Sequence, residues 1–278
     1  MHKVIELFGQ YTENKEADWG RIIHEQIYPF SKKKCFKVIK SSPETSIGTC
    51  NVRYGINEES VIICPNRLLQ NHKVFIDCLH LLHLHQPGND IHIIPELSIP
   101  GGSVDFVVAS VRDGKVVDFV GIEFQTLDTT GSVWQSRQEF VNSIGINTEP
   151  YDKNKTFGIN WKMTAKTILV QMHHKIATFE NLNKHLVLII QDALLDYMRK
   201  EFDFSEVHNP ALPGDSLQFH SYSFMENRSC SLSLKERIST DSLGMAKCLG
   251  LNAEAKIELE TILELIEKKI SPDNLLIV

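Results

Sequence analysis

The chain has 278 residues, of which 42% are hydrophobic and 23% are charged, and its formal net charge is −6. These values are ordinary for a globular protein, and the acidic balance excludes DNA binding that depends only on a strongly basic surface. The sequence has no apolar stretch of about 18 residues, so it predicts no transmembrane helix and no membrane partner. The N-terminal residues lack the architecture of a signal peptide, and the expected location is the cytoplasm, where cysteines stay reduced.

Four cysteines lie at nearly even spacing in the first third of the chain, after a predicted helix at 17–28. In a reducing compartment, clustered thiols are metal ligands more often than disulfides, and four thiolates hold a structural iron or zinc ion. The spacing contains no Cys-x-x-Cys pair, so buried cysteines that pack as small hydrophobic side chains remain the alternative. The four candidate ligands are Cys35, Cys50, Cys64 and Cys78.

Histidines follow the fourth cysteine in a leucine-rich run. They are His80, His83 and His85. Imidazole also suits zinc and iron, so any of them is a substitute ligand. The alternative is that they line the polar edge of an apolar segment.

The sequence of residues 91–125 predicts the first strands of the core. The two strands on either side of Asp113-Gly114 form a hairpin that carries acidic side chains. Asp113-Gly114 lies between two runs rich in β-branched residues, which is a strong hairpin signal. An unpaired buried carboxylate is costly, so Asp105 and Glu123 on these strands need a partner, and a divalent metal ion is the obvious one. The alternative is a surface hairpin whose acids are solvated.

The register of this hairpin decides whether the two acids share a face. Side chains alternate along a strand, so Asp118 points away from Glu123. A two-residue turn alone places Asp105 opposite Ile122, whereas a three-residue connection or an equivalent bulge places Asp105 opposite Glu123. A metal site at this hairpin therefore requires the second register.

The rest of the chain alternates between helical patterns and apolar runs typical of strands. The sequence predicts a helix capped by Ser132, a polar loop at 149–158, a helix at 160–180, a buried strand at 186–190, a helix at 192–202, strands at 217–225 and 230–237, and helices at 241–249 and 252–270. This order favours an α/β (α+β) fold with a mixed sheet flanked by helices. The predicted organisation is an N-terminal helical part at 1–30, a four-cysteine module at 31–80 and a core at 81–278.

Polar and positively charged side chains after the hairpin are candidates for nucleic-acid contacts. Phosphate contacts are predicted for Lys153, Lys155, Lys162, Lys166, His173, His174 and Lys175, and base contacts for Gln135, Arg137 and Asn160. The alternative is that these side chains are solvated. The apolar side chains of the helix at 252–270 suggest a dimer contact, with packing on its own core as the alternative.

Seven short segments of the chain together resemble the NotI-type restriction endonucleases. They are residues 34–35, 47–50, 62–69, 75–79, 100–105, 123–126 and 158–163. The resemblance extends from about residue 20 to beyond residue 200. The resemblance implies a PD-(D/E)xK core, a homodimer and a structural iron ion, with zinc as the alternative, on Cys35, Cys50, Cys64 and Cys78.

The resemblance also implies a catalytic set and a reaction. Asp105 and Glu123 would bind Mg²⁺, and Gln125, which replaces the commoner lysine, would orient the attacking water. Glu96, which leads into the motif, is the first choice for a further carboxylate. The implied function is that of a prokaryotic cytoplasmic type II enzyme cutting double-stranded DNA at a short, palindromic, GC-rich site. The alternatives are a metal-stabilised DNA-binding protein without catalysis and a repair or recombination nuclease.

Overall fold

The computed structural model describes residues 2–39, 42–146, 151–152, 154–226, 230–251, 263 and 268. Its N-terminal part folds into short strands and a short helix. In chain order these are β1 (Val4–Leu7), β2 (Gln10–Tyr11), α1 (Trp19–Glu25), β3 (Ile27–Tyr28), β4 (Lys33–Lys34), β5 (Val38–Ile39), β6 (Ser42–Ser46), β7 (Thr49–Tyr54) and β8 (Glu59–Ile62). Strands β2, β1, β7 and β8 form a four-stranded sheet in that order, and β3 pairs with β4.

A run of short helices connects this sheet to a larger one. The run contains a 3-10 helix (Pro65–His72), α2 (Lys73–Ile76) and a second 3-10 helix (Leu79–Leu81). The elements that follow are β9 (Asp90–Ile99), β10 (Gly102–Arg112), β11 (Lys115–Gln125), β12 (Thr129–Gly131), α3 (Trp134–Ser143), β13 (Phe157–Ile159), α4 (Trp161–Asn181), β14 (His185–Gln191), α5 (Asp192–Glu201), β15 (Leu217–Met225), β16 (Ser231–Thr240) and α6 (Ser242–Cys248).

The central sheet has six strands in the order β16-β15-β14-β11-β10-β9. Strand β14 is parallel to its neighbours β11 and β15, and the remaining pairs are antiparallel. The sheet is therefore mixed, as the sequence predicted. A parallel neighbour requires a crossover connection, which α4 supplies between β11 and β14.

Both faces of the central sheet are covered, and β14 shows why its sequence is continuously apolar. Leu188 and Ile190 pack into the core that contains α4, whereas Val187 and Ile189 pack into the core on the other face. That second core is closed by the helices between residues 65 and 82, including the buried Phe75. A strand buried on both faces loses the usual alternation of apolar and polar residues.

The predicted helices and strands of the C-terminal half agree with the structure to within a few residues. Ser132 caps the start of α3, as predicted, because its hydroxyl accepts a hydrogen bond of 3.2 Å from Trp134 N, although the helix boundary places Val133 at the N-cap position. The segment 31–80 contains strands, and β7 pairs with β1 from the N-terminal part. The helix predicted at 252–270 lies almost entirely outside the described residues. Among the helices that the structure describes, none is long and apolar enough to cross a membrane.

Candidate active site

The hairpin β10–β11 has the register that a carboxylate site requires. Its turn has two residues, because Arg112 pairs with Lys115, but Val117 has no partner in the ladder and forms a bulge. Beyond the bulge Phe106 pairs with Ile122, so Asp105 lies opposite Glu123. The two-residue turn and the facing acids, which are incompatible in a regular hairpin, are reconciled by this one extra residue.

Asp105 reaches across the hairpin to the backbone beside Glu123. Its Oδ2 accepts a hydrogen bond of 2.8 Å from the backbone N–H of Phe124. This contact fixes the orientation of the Asp105 carboxylate relative to β11. Asp118, which alternation excluded from the site, is buried elsewhere and pairs with Lys184 at 2.6 Å.

A lysine from α4 completes the pair of acids. Lys175 Nζ lies 2.6 Å from Glu123 Oε1, and the two residues are only 7% and 5% exposed. The Lys175 stem passes Gly102, where an added Cβ would lie 3.2 Å from Lys175 Cε. The sequence interpretation placed Lys175 among the phosphate contacts and missed this role. The sequence does contain one indication of this role. The spacing of Lys175 from Ile168, Met172 and Phe179 places it on the buried, apolar face of the helix.

Burial and mutual repulsion change the acidity of both carboxyl groups. Desolvation, with a further contribution from the Asp105 charge, raises the pKa of Glu123 to about 7 despite the hydrogen bond from Lys175. Desolvation also raises the pKa of Asp105, and the Glu96 charge adds to this effect. Groups with such perturbed pKa values in a cleft are typical of functional sites.

Glu96 lies beside Asp105 on the other neighbouring strand. Val104 pairs with Leu97 and Phe106 pairs with Pro95, which places Glu96 opposite Asp105. The backbone of Glu96 has φ +49°, a conformation unusual for a residue other than glycine, so the ladder is interrupted at this position. The three acids therefore follow one line across β9, β10 and β11.

Gln125 occupies the same face of β11 as Glu123 but turns toward the end of the strand. Its Nε2 donates a 2.5 Å hydrogen bond to the Thr126 carbonyl oxygen. Gln125 supplies no positive charge, and the cation beside Glu123 comes from α4 instead. Among the described residues, the cation beside Glu123 therefore belongs to a helix and not to β11.

A cleft of about 850 Å³ opens beside the acids. Asp105 and Glu96 line it, together with residues of the hairpin β3–β4 and the residues that follow. Among the latter are Lys33, Lys34 and Phe36, of which Phe36 is 62% exposed. The cleft therefore joins acidic groups to basic and aromatic side chains.

The four cysteines predicted to bind one ion do not all meet. Cys50 and Cys64 lie in one buried cluster with Tyr28, and Cys50 Sγ donates to the Gly48 carbonyl oxygen at 3.3 Å. The Cys50 thiol and the nearby Lys37 lower the pKa of Cys64 to about 7, and Cys35 interacts electrostatically with Cys64. Cys78 instead packs into the core below the central sheet, with its Sγ 3.7 Å from His220 Nδ1. The described side chains therefore do not assemble a four-thiolate site.

The predicted DNA-contact residues have different environments. Lys155, Lys162, Lys166 and His174 are exposed, and Lys153 lies outside the described residues. The prediction that Arg137 reads bases is wrong for this structure. Arg137 is 3% exposed, and its guanidinium donates to the Ile47 carbonyl at 3.0 Å and to Gln138 Oε1 at 2.6 Å.

The donor set fits Mg²⁺ in type and number. Mg²⁺ prefers oxygen ligands and is commonly held by one or two carboxylates together with water and substrate phosphates. Asp105 and Glu123 provide two carboxylates on facing strands, with Glu96 beside them. Within the described ranges, no three His, Cys, Asp or Glu side chains are already grouped as metal ligands.

Comparison with known proteins gives no assignment. No known family model matches the chain, and no curated protein matches it. The function therefore has to be inferred from the facing carboxylates, the lysine from α4 and the adjoining cleft.

Proposed function

We propose that this chain is a Mg²⁺-dependent endonuclease of the NotI-type restriction class, which hydrolyses phosphodiester bonds in double-stranded DNA. The observation that carries the proposal is the arrangement of Asp105 opposite Glu123, with Lys175 Nζ 2.6 Å from the second carboxylate. A mixed sheet with both faces covered, whose hairpin carries these acids, supports a PD-(D/E)xK core.

Each side chain of the site has a task that its environment suits. Asp105 and Glu123 would hold Mg²⁺, which when bound supplies a Lewis acid and an activated water molecule. The Phe124 N–H fixes Asp105, and the Lys175 ammonium fixes Glu123 and offsets the repulsion between the two acids. Gln125 Oε1 accepts no hydrogen bond from the described residues, so it remains able to orient a water molecule.

The cleft supports a polyanionic substrate despite the net charge of the chain. Lys33 and Lys34 line the same cleft as Asp105 and Glu96, and among the described residues the Lys34 ammonium bonds only to the Glu44 carbonyl oxygen, at 2.8 Å. These cations can contact phosphates, and the exposed ring of Phe36 offers an apolar surface for a sugar or base. The acidic groups would be screened from the DNA phosphates by the bound metal ion.

The proposal includes a homodimer acting on a short palindromic, GC-rich site, because a twofold protein matches a twofold DNA sequence. A structural iron ion, or zinc, bound by the cysteines remains a prediction. Cys35, Cys50 and Cys64 interact, but Cys78 lies in another core, so the proposed reaction does not depend on that ion. Metal analysis of protein purified without added metal tests it, and a folded, metal-free protein would contradict it.

Digestion of plasmid DNA tests the proposed activity. We expect the purified chain to produce discrete fragments with Mg²⁺ and none with EDTA. Intact DNA under both conditions, together with tight DNA binding, would instead indicate a DNA-binding protein without catalysis. A smear without discrete fragments would indicate a nuclease of repair or recombination.

A further inference from the structure

A second cavity, of about 490 Å³, lies at the β16 edge of the central sheet, whereas Glu96, Asp105 and Glu123 are on β9, β10 and β11. Arg237 lines it from β16, the edge strand opposite the edge occupied by β9. His80 and His83 line it from the second 3-10 helix and the residues that follow. Its volume is within the range of about 300–1,000 Å³ typical of sites for small molecules.

Gln218 and Arg237 bring hydrogen-bond donors to this cavity. Gln218 is only 2% exposed, and its Oε1 accepts a 3.0 Å hydrogen bond from His220, while its Nε2 donates to no described group. Arg237 donates one 3.1 Å hydrogen bond to the Asp77 carbonyl oxygen, and no described carboxylate lies within ion-pair distance of it. A guanidinium and a buried amide with unused donors favour an oxygen-rich anion.

The two histidines add polar atoms at the same cavity. His80 Nδ1 donates to the Asp77 carbonyl oxygen at 2.9 Å, which directs its other ring nitrogen away from that contact. His83 makes an edge contact with His185, with ring centroids 5.0 Å apart, and its ring nitrogens bond to no described group. Neither imidazole is committed to an acidic partner.

Acidic side chains around this cavity are held by partners other than Arg237. Both Glu236 oxygens bind Arg199, at 2.9 and 2.6 Å. Asp215 Oδ2 is held by His208 at 2.7 Å and by Ser239 at 2.6 Å. Asp77 binds Tyr222 and Lys73. Among the described groups around the cavity, Arg237 thus has no counter-charge within ion-pair distance. A partly buried cation is more stable when it is paired, which favours an anion in this cavity.

We propose that this cavity binds a small organic oxyanion, a carboxylate or a phosphate monoester that carries an apolar group. Arg237 and Gln218 hold the charged oxygens, and the apolar group packs against Leu81, Pro213 and Leu234, which line the same cavity. The site is separate from the proposed nuclease site, so binding at it does not depend on nuclease activity.

Titration of the full chain with small probes tests this proposal without any substitution. The probes are phenyl phosphate, benzoate and the neutral benzyl alcohol, and the readout is the ring ¹³C–¹H resonances of His80 and His83 at constant pH. We expect saturable shifts with at least one charged probe, at an affinity about 10-fold or more above that of benzyl alcohol, as a charge-assisted contact provides. The probe that binds identifies the charged group. No shift, or equal shifts with the neutral probe, overturns the proposal.

Two substitutions then assign the binding to these side chains. Gln218→Glu keeps an oxygen acceptor for His220 but replaces the donor with a carboxylate, and Arg237→Gln removes the cation. Each should weaken binding about 10-fold or more. Lys115→Gln makes the same charge change at the exposed end of the β10–β11 hairpin and should leave binding unchanged. Unchanged affinity in either folded variant overturns the assignment, and if a variant fails to fold the result for the unmodified chain decides.

Discussion

The pairing of Glu123 with Lys175 is the contact on which the proposed site depends at the residue scale. Both side chains are buried, and a buried charge is stable only when it is paired. Lys175 also acts electrostatically on Asp105, so one cation serves two acids. The site therefore has an excess of negative charge that a divalent ion can balance.

Removing this cation should damage stability and activity together. In Lys175→Met we expect the free energy of unfolding without Mg²⁺ to fall by about 3 kcal/mol, because a buried carboxylate loses its partner. Mg²⁺ should restore part of that loss by replacing the ammonium as counter-charge, and DNA cleavage should fall by about 100-fold or more. Urea unfolding with and without Mg²⁺ measures the first effect.

Lys166→Met is the matched control on the same helix, because Lys166 is exposed. Its free energy of unfolding should change by less than about 0.5 kcal/mol. A Lys175→Met protein that is as stable as the unmodified chain, and does not respond to Mg²⁺, would contradict the proposed charge balance.

A buried histidine gives the fold a defined pH dependence. Desolvation lowers the pKa of His185, and its Nδ1 lies 3.0 Å from the Asp215 carbonyl oxygen. The unfolded histidine binds a proton near pH 6.5 whereas the folded one binds it only at lower pH, so the contribution of His185 to stability falls as pH decreases below 6.5. The raised pKa of Glu123 contributes in the opposite direction, so the effect of His185 is read as a difference between two proteins. The slope from His185 alone is at most about 1.4 kcal/mol per pH unit.

Urea unfolding between pH 7.5 and 5.5 checks this prediction. On going from pH 7.5 to 5.5, the free energy of unfolding of His185→Gln should change less unfavourably than that of the unmodified chain, and the difference isolates His185. Some dependence should remain, because burial also lowers the pKa of His220, to about 3. Identical pH profiles for the two proteins would show that His185 is not the buried neutral group described here.

At the scale of elements, the hairpin shows how far local sequence could predict the site. Asp113-Gly114 and the flanking β-branched residues predicted both strands, and alternation correctly separated Asp118 from Glu123. The bulge at Val117 was named only as one of two possibilities, because a bulge has no distinctive residue type here. Its position is decided by packing across the sheet.

Long elements with a clear hydrophobic period were predicted well, whereas contacts between elements were not. Helix α4 and strand β14 follow from periodicity and from a continuous apolar run. The partner of Lys175 depends on how α4 crosses β10 and β11, which no local pattern records. The separation of Cys78 from the other cysteines likewise depends on the path of the helices between residues 65 and 82.

Gly101 controls the approach of α4 to the carboxylate hairpin. It has φ +90°, and an added Cβ would lie 2.2 Å from the His174 carbonyl oxygen. Gly101→Ala should therefore destabilise the fold through both backbone strain and a clash, and it should shift Lys175 away from Glu123. The backbone part of this cost is about 1–2 kcal/mol, and the clash adds about 1–3 kcal/mol.

Gly88 provides a matched control, with φ +92° and no atom within 4 Å of an added Cβ. Gly88→Ala should lower the free energy of unfolding by the backbone strain alone, so the difference in that free energy between the two variants measures the clash. Thermal or urea unfolding gives this difference. Equal destabilisation by both substitutions would show that α4 does not pack closely against residue 101.

At the scale of the whole molecule, an acidic protein must bind DNA through a local basic surface. Lys33 and Lys34, which line the same cleft as Asp105 and Glu96, are the proposed basic surface. Each phosphate contact contributes about 0.9 to the slope of log affinity against log salt concentration. The double variant Lys33→Ala, Lys34→Ala should therefore reduce that slope by up to about 1.8, measured by fluorescence anisotropy with duplex DNA in EDTA.

The control for this experiment is Lys115→Ala with Lys200→Ala, because both lysines are exposed and neither lines the cleft. It makes the same change in net charge and should leave the slope nearly unchanged. Equal slopes for the two double variants would show that DNA does not enter the cleft between the β3–β4 hairpin and the acids.

We propose Asp105 and Glu123 as the reacting centre rather than as a structural pair. For the unmodified chain and for Asp105→Asn, cleavage of a duplex DNA is measured in Mg²⁺ and binding of the same duplex is measured in EDTA. We expect Asp105→Asn to bind the duplex with an affinity within about 3-fold of that of the unmodified chain, because phosphate contacts dominate that affinity. Its cleavage rate should fall by about 1,000-fold or more, because the metal loses a ligand. Cleavage by Asp105→Asn at the unmodified rate, with the fold intact, would contradict the account.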